Sequence, residues 1–203
     1  MKGQMFLIGA ILMIMGTLLV FNVVGVRTIT EESRYQDAKL LNRQASNAVN
    51  EYRYGLGLAA LQQESNKSAA DYAAAFSSFL RNEADSRIFY AVAYVNGTTQ
   101  AYSVNVGNYL GRKINVTLNA TDSTPSSAFA YLDDRKNSTM HFLSGISSCM
   151  INLTLSYKKG GGSVQERFSV NVSDKRYMAE FVDVTMIDTG FTMNAKEVFN
   201  RTW

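Results

Sequence analysis

Residues 113–121 read KINVTLNAT, and in this stretch every second side chain is of one kind. Ile114, Val116, Leu118 and Ala120 alternate with Asn115, Thr117, Asn119 and Thr121. A period of two predicts a strand with one apolar and one solvated face. The same grammar recurs in INLTLSY (151–157), with Ile151, Leu153, Leu155 and Tyr157 inward, and in FSVNVS (168–173), with Phe168, Val170 and Val172 inward. RIFYAVAYV (87–95) and TQAYSVNV (99–106) flank Asn96-Gly97, a pair that favours the turn matching strand twist. MINLTLSYKK (150–159) and SVQERFSVNV (163–172) flank three glycines and predict a second hairpin, while RYMAEFVDVTMI (176–187) is apolar on both faces and predicts an inner strand. Between these, a polar connection contains Pro125. An antiparallel sheet of five to seven strands is the expectation for residues 87–203.

Towards the amino terminus the period lengthens. In residues 31–54 the apolar positions Tyr35, Ala38, Leu41, Ala45, Val49 and Tyr52 fall three or four apart, which predicts a helix, and Gly55 and Gly57 suggest its break. A second helix is expected from Ser68 to about Asp85, with Ser68 and Asp71 placed to cap its first turn and Tyr72, Phe76, Phe79 and Leu80 as its apolar side.

Further upstream, Met5–Val26 holds 22 residues without a charge. As a helix it would extend about 33 Å, enough to cross a hydrocarbon core of about 30 Å. The apolar part of a cleaved secretory signal is shorter, about 7–15 residues, so the length predicts a retained membrane helix although Val23-Val24-Gly25 loosely imitates a cleavage site. Gly9, Gly16 and Val23 recur every seven residues and form a stripe where another helix could approach closely. Glycine is also simply common in membrane helices, so the stripe has two readings. Basic residues lie on both sides of the span, Lys2 before it and Arg27, Arg34, Lys39 and Arg43 after it, so charge alone does not orient it.

Orientation is read instead from N-x-S/T triplets. Asn66, Asn96, Asn115, Asn119, Asn137, Asn152, Asn171 and Asn200 each begin one, eight of 16 asparagines, whereas 33 serines and threonines in 203 residues would give two or three by chance. All follow the apolar span, and glycan acceptors belong outside the cytoplasm. A strand with Asn, Ser and Thr on its wet face also generates such triplets, because positions i and i+2 share a face. Asn66, Asn96, Asn137 and Asn200, which do not fall in the alternating runs quoted above, tip the reading towards an outside location.

Chemistry-bearing residues are few. The net charge of +3 is scattered along the chain, which argues against nucleic acid as a partner. His141 is the only histidine, so sites built on several imidazoles are excluded and a Ser-His-Asp arrangement would have to use it. The single cysteine, Cys149, has no internal disulfide partner and reads as a small apolar side chain beside a strand. Asp133, Asp134 and Asn137 are too few and too irregular for a calcium loop and read as a polar turn. No catalytic residue, metal site or cofactor is expected. A membrane-tethered hydrolase is the weakest of the functional readings.

The leader Lys2-Gly3-Gln4, an apolar helix that follows at once, and a sheet domain beyond it together resemble archaeal type IV pilin-like proteins with a class III signal peptide. The specific likeness covers about the first 25 residues. It implies that a prepilin-type peptidase cuts between Gly3 and Gln4 on the cytoplasmic side, keeping the helix. The implied organisation is leader 1–3, transmembrane helix 4–26, helical extension and second helix 27–86, and an extracytoplasmic antiparallel β domain 87–203, an α+β pilin-like fold. The implied partners are membrane lipid, the peptidase and other pilin subunits met through the helix stripe. Many pilins carry a glutamate at the fifth mature position; here it is Ile8, and the first acid is Glu31. That departure points to a minor or pseudopilin subunit rather than a major one. The competing class is a single-pass, signal-anchored surface ectodomain, a binding module that does not polymerise.

Overall fold

The computed structural model describes residues 2–61, 65–96, 101–121, 126–142, 150–159, 161–171, 176–188 and 190–202; within these, the side chains of 2–12, 16, 20–31, 65–67, 96, 101, 126, 150, 151, 168, 170, 171, 176, 201 and 202 lie outside the description. The protein is α+β, with a long helix, a shorter helix and antiparallel sheets. It divides into two compact units, Met1–Leu41 and Asn42–Trp203.

The first unit is helical, part of α1 (Lys2–Ala59). Met13, Ile14, Met15, Leu18 and Leu19 are exposed on it. The Thr17 hydroxyl donates to the Met13 carbonyl at 2.8 Å, so this polar group is satisfied within its own helix. Among the described residues no helix is long and apolar enough to cross a membrane; the side chains of 5–12, 16 and 20–26 are not among them.

The second unit has three layers. The end of α1 and α2 (Ser65–Glu83) lie on one face of a five-stranded sheet, and a four-stranded sheet packs on the other. The strands are β1 (Ser86–Asn96), β2 (Ala101–Tyr109), β3 (Ile114–Thr121), β4 (Ser126–Leu132), β5 (Lys136–Phe142), β6 (Met150–Lys159), β7 (Gly162–Asn171), β8 (Arg176–Asp188) and β9 (Phe191–Thr202). The first sheet has the order β5-β2-β1-β8-β9 and the second β4-β3-β6-β7, with every pairing antiparallel. The chain crosses between sheets after β2, β4, β5 and β7.

Period two explains both cores. In β1, Phe89, Ala91, Ala93 and Val95 face the second sheet, where Val116, Leu118, Leu153, Leu155 and Tyr157 meet them. Phe89 stacks on Tyr157 with ring centroids 4.0 Å apart. The alternate residues Ile88, Tyr90 and Val92 are buried on the helix side with Met178, Val182 and Val184 of β8. KINVTLNAT is β3 with strict alternation of buried and exposed positions, as its sequence predicts.

Several expectations are corrected. The described residues hold nine strands in two sheets, not five to seven in one. Three strands go unpredicted: β4 and β5, in and after the stretch read as a polar connection, and β9, which follows the expected inner strand. In β4 the small residues Ala128 and Ala130 pack against the core while Phe129 and Tyr131 face out, inverting the usual size pattern. Helix α1 runs past Gly55 and Gly57 to Ala59. A Cβ at Gly55 would lie 1.9 Å from the Tyr72 ring, so glycine admits that ring and does not end the helix. Helix α2 begins at Ser65, so Ser68 and Asp71 lie inside it rather than at its cap. Its most buried residues are Ala69, Ala70, Ala73 and Ser77, whereas Phe79 is exposed. Small side chains let the helix sit close, and the aromatic row Tyr72, Phe76 and Phe79 stacks along its flank, with Phe76 edge-on to Tyr52.

Candidate functional site

Of the residues singled out in the sequence, Lys2, Gly3, Gln4, Ile8, Gly9, Gly16 and Val23 fall on α1, and their side chains lie outside the described residues. The same holds for the side chains of Asn66, Asn96 and Asn171, and for the whole of Cys149, Gly97 and Pro125. Asn115, Asn119, Asn137, Asn152 and Asn200 are described, and all are exposed.

These five do not form one site. Asn115 and Asn119 lie two rungs apart on the outer face of the second sheet, and Asn152 follows on β6, cross-strand from Thr121. Ser169 donates to the Asn152 side-chain carbonyl at 2.6 Å. Asn115 is the cross-strand neighbour of Tyr131, and Thr117 that of Phe129. Those two rings stand 65% and 74% exposed and meet edge to face, an aromatic patch directly beside an N-x-S/T triplet. Asn137 lies on the opposite sheet, and its amide nitrogen donates inward to the Tyr90 hydroxyl at 3.5 Å. Asn200 is on the edge strand β9.

The Asp133-Asp134 turn joins β4 to β5. Asp134 accepts from the Gly111 backbone N–H at 2.7 Å, Lys113 pairs with Asp133, and Arg135 takes the left-handed conformation with φ 60°. It is the polar turn that its composition predicts. Among the described residues no group of three or more His, Cys, Asp or Glu is arranged to hold a metal ion. His141 is exposed on the edge strand β5, cross-strand from Ser103.

Two buried acids went unread in the sequence. Both lie in the inner strand β8, on opposite faces. Asp183, fully buried, accepts from Tyr157 and Lys159, both at 2.5 Å, and ties the two sheets together at one end of the sandwich. Lys159 also donates to Asn194, which accepts from Thr185. Burial first, then the Asp183 charge, pushes the Tyr157 hydroxyl far above its ordinary pKa, so it is a permanent donor. Glu180 faces the helices, 2% exposed, and one of its carboxyl oxygens has no hydrogen-bond partner. Burial holds its pKa well above the usual carboxylate range. The signal available in RYMAEFVDVTMI was two acids three residues apart in a strand otherwise apolar on both faces.

No protein-family model, curated protein or solved structure matches this chain.

Proposed function

We propose that this chain is a pilin-like surface protein, a minor or pseudopilin subunit, held in the membrane by its amino-terminal helix and packing that helix into a type IV pilus-like filament. One observation carries the reading. Helix α1 contains the uncharged run Met5–Val26 directly behind Lys2-Gly3-Gln4, and continues to Ala59. Its described residues Met13, Ile14, Met15, Leu18 and Leu19 are solvent-exposed in the single chain. Each large apolar side chain gains about 1.5–3 kcal/mol on leaving water, so lipid or neighbouring helices are the natural surroundings for this surface. The subunit is stored in lipid and then exchanges lipid contacts for helix contacts, with Gly9, Gly16 and Val23 as the line of closest approach. The β-sandwich stays outside the cytoplasm.

Mass spectrometry of the mature amino terminus tests this. A chain starting at Gln4 is the expected result. A start at Met1 overturns the pilin route in favour of a plain anchored ectodomain, and a start near Val26 overturns both by releasing a soluble domain. Electron microscopy of filaments sheared from the cell surface then distinguishes polymer from monomer.

A further inference from the structure

The helix-side face of the first sheet is not covered throughout. Over β1 and β8 it is buried and, Glu180 apart, apolar, but towards the β5 edge the same face turns polar and opens. There Ser103 and Asn105 of β2, Asn137, Thr139 and His141 of β5, and Asp71 of α2 surround a cavity of about 340 Å³. That volume lies in the range of small-molecule sites, about 300–1,000 Å³.

The strand register builds this cavity. Asn105 stands cross-strand from Thr139, Ser103 from His141 and Gly107 from Asn137, so successive outward-facing rungs deliver one set of polar groups. The Asn105 amide nitrogen donates to the Thr139 hydroxyl at 2.9 Å, which fixes both side chains. Gly107 has no side chain because a Cβ there would fall 2.1 Å from the buried Tyr90 ring. The Tyr90 hydroxyl in turn receives the Asn137 amide. The groups are thus held in place before any ligand arrives, which lowers the ordering entropy of binding.

We propose that this cavity binds a neutral carbohydrate. Its polar groups are amides, hydroxyls and an imidazole, which donate and accept, together with the Asp71 carboxylate, which accepts; this is the chemistry that matches sugar hydroxyls. Among the described residues the only charged side chain that lines it is the Asp71 carboxylate, which disfavours an anion. Val92 and Tyr94 supply a wall of carbon for the apolar face of a sugar ring. The Asn105 carbonyl oxygen is buried and has no hydrogen-bond partner. The ligand is either a free saccharide or a glycan carried by the chain itself, since Asn137 on the rim begins a glycan triplet. The proposal stands whether or not the protein polymerises.

The test is saturation-transfer NMR on the full chain in phosphocholine micelles, because sugar-headed detergents would compete. The probes are the methyl glycosides of glucose, galactose, mannose and N-acetylglucosamine, with glucuronate as a charged comparison. At least one neutral glycoside is expected to bind with a Kd of about 10 mM or tighter, and to lose about tenfold in Asn105→Ala. Ser103→Phe, which fills the cavity, is expected to abolish the signal, whereas Asn119→Ala on the other sheet keeps it. Circular dichroism melts confirm that the variants are folded. A signal that appears only after enzymatic removal of N-linked glycans identifies the chain's own glycan as the occupant. No signal from any neutral glycoside in either state, a signal unchanged in both cavity variants, or stronger binding of glucuronate overturns the proposal.

Discussion

Replacing Glu180 by glutamine should stabilise the protein at neutral and alkaline pH and flatten its pH dependence. Glu180 sits mid-strand in the inner strand β8, between Val92 of β1 and Phe199 of β9. The ionisable groups that sense it are phenols: Tyr52 from α1, Tyr72 from α2 and Tyr90 from β1, each with its pKa raised first by burial and further by the Glu180 charge. Arg53 lies over the ring of Phe199, the cross-strand neighbour of Glu180, at 5.0 Å, and is paired with Glu197. The carboxyl is therefore held protonated in the folded state and ionises readily in the unfolded one. Above the ordinary glutamate value of 4.5 the folded protein keeps a proton that the unfolded chain has released. Stability is then complete below that pH and declines as pH rises towards the folded value.

The slope is about 1.4 kcal/mol for each pH unit in that window. For a domain of this size it corresponds to about 3–6 °C in Tm per unit. Glutamine keeps the shape and one acceptor but cannot ionise, so Glu180→Gln should lose this slope and melt well above the wild type at pH 8. The two melting curves should converge near pH 4. Thermal melts of the full chain in detergent between pH 4 and 8 provide the measurement. Parallel pH profiles for the two proteins would refute the reasoning, because they would mean that the carboxyl finds water or a cation in the folded state.

Three further predictions concern the sandwich and the helices packed on it. Asp183→Ala should destabilise by about 3–5 kcal/mol in urea titrations, because Lys159 and Tyr157 lose their shared buried acceptor, and Asp183→Asn should cost less. Gly107→Ala should cost about 3 kcal/mol or prevent folding, since the fully buried Tyr90 ring cannot yield, whereas Gly55→Ala should be near neutral in thermal melts. At Gly55 the half-buried Tyr72 ring can swing out, and the helix gains about 1 kcal/mol of propensity from alanine. Glycopeptide mapping of the native protein should find Asn115, beside the exposed Phe129 and Tyr131, more heavily occupied than Asn137, whose amide is turned towards Tyr90; equal occupancy would count against side-chain orientation as the deciding factor.

The strands were legible wherever one face meets the core and the other meets water. KINVTLNAT, INLTLSY and the first hairpin announce themselves because burial on one side is enough to impose period two. The signal failed at β4, where alanines face inward and aromatics outward: packing distance, not hydrophobicity, selected the inner residues there. It failed at Gly55 for a related reason. Glycine reads locally as a helix breaker, but its role is set by Tyr72, 17 residues away in the chain. The cavity was invisible because its parts come from three strands and a helix, and only register brings Asn105 beside Thr139 and Ser103 beside His141. The buried acids could be seen as letters, but not which face of β8 each would occupy relative to the helices and Lys159.

The N-x-S/T triplets change meaning once the strands are placed. Asn96, Asn115, Asn119, Asn137, Asn152, Asn171 and Asn200 all lie within β-strands, and only Asn66 lies in a helix. Asn96, Asn137 and Asn200, which lie outside the alternating runs visible in the sequence, nevertheless occupy β1, β5 and β9. In any strand the residues at i and i+2 share a face, so a wet face composed of Asn, Ser and Thr produces triplets as a by-product of folding. The excess over chance is thus first a property of a β-sandwich with amide- and hydroxyl-rich surfaces. Support for placing the sandwich outside the cytoplasm rests correspondingly more on Lys2-Gly3-Gln4 and the uncharged span that follows, which no strand grammar can generate.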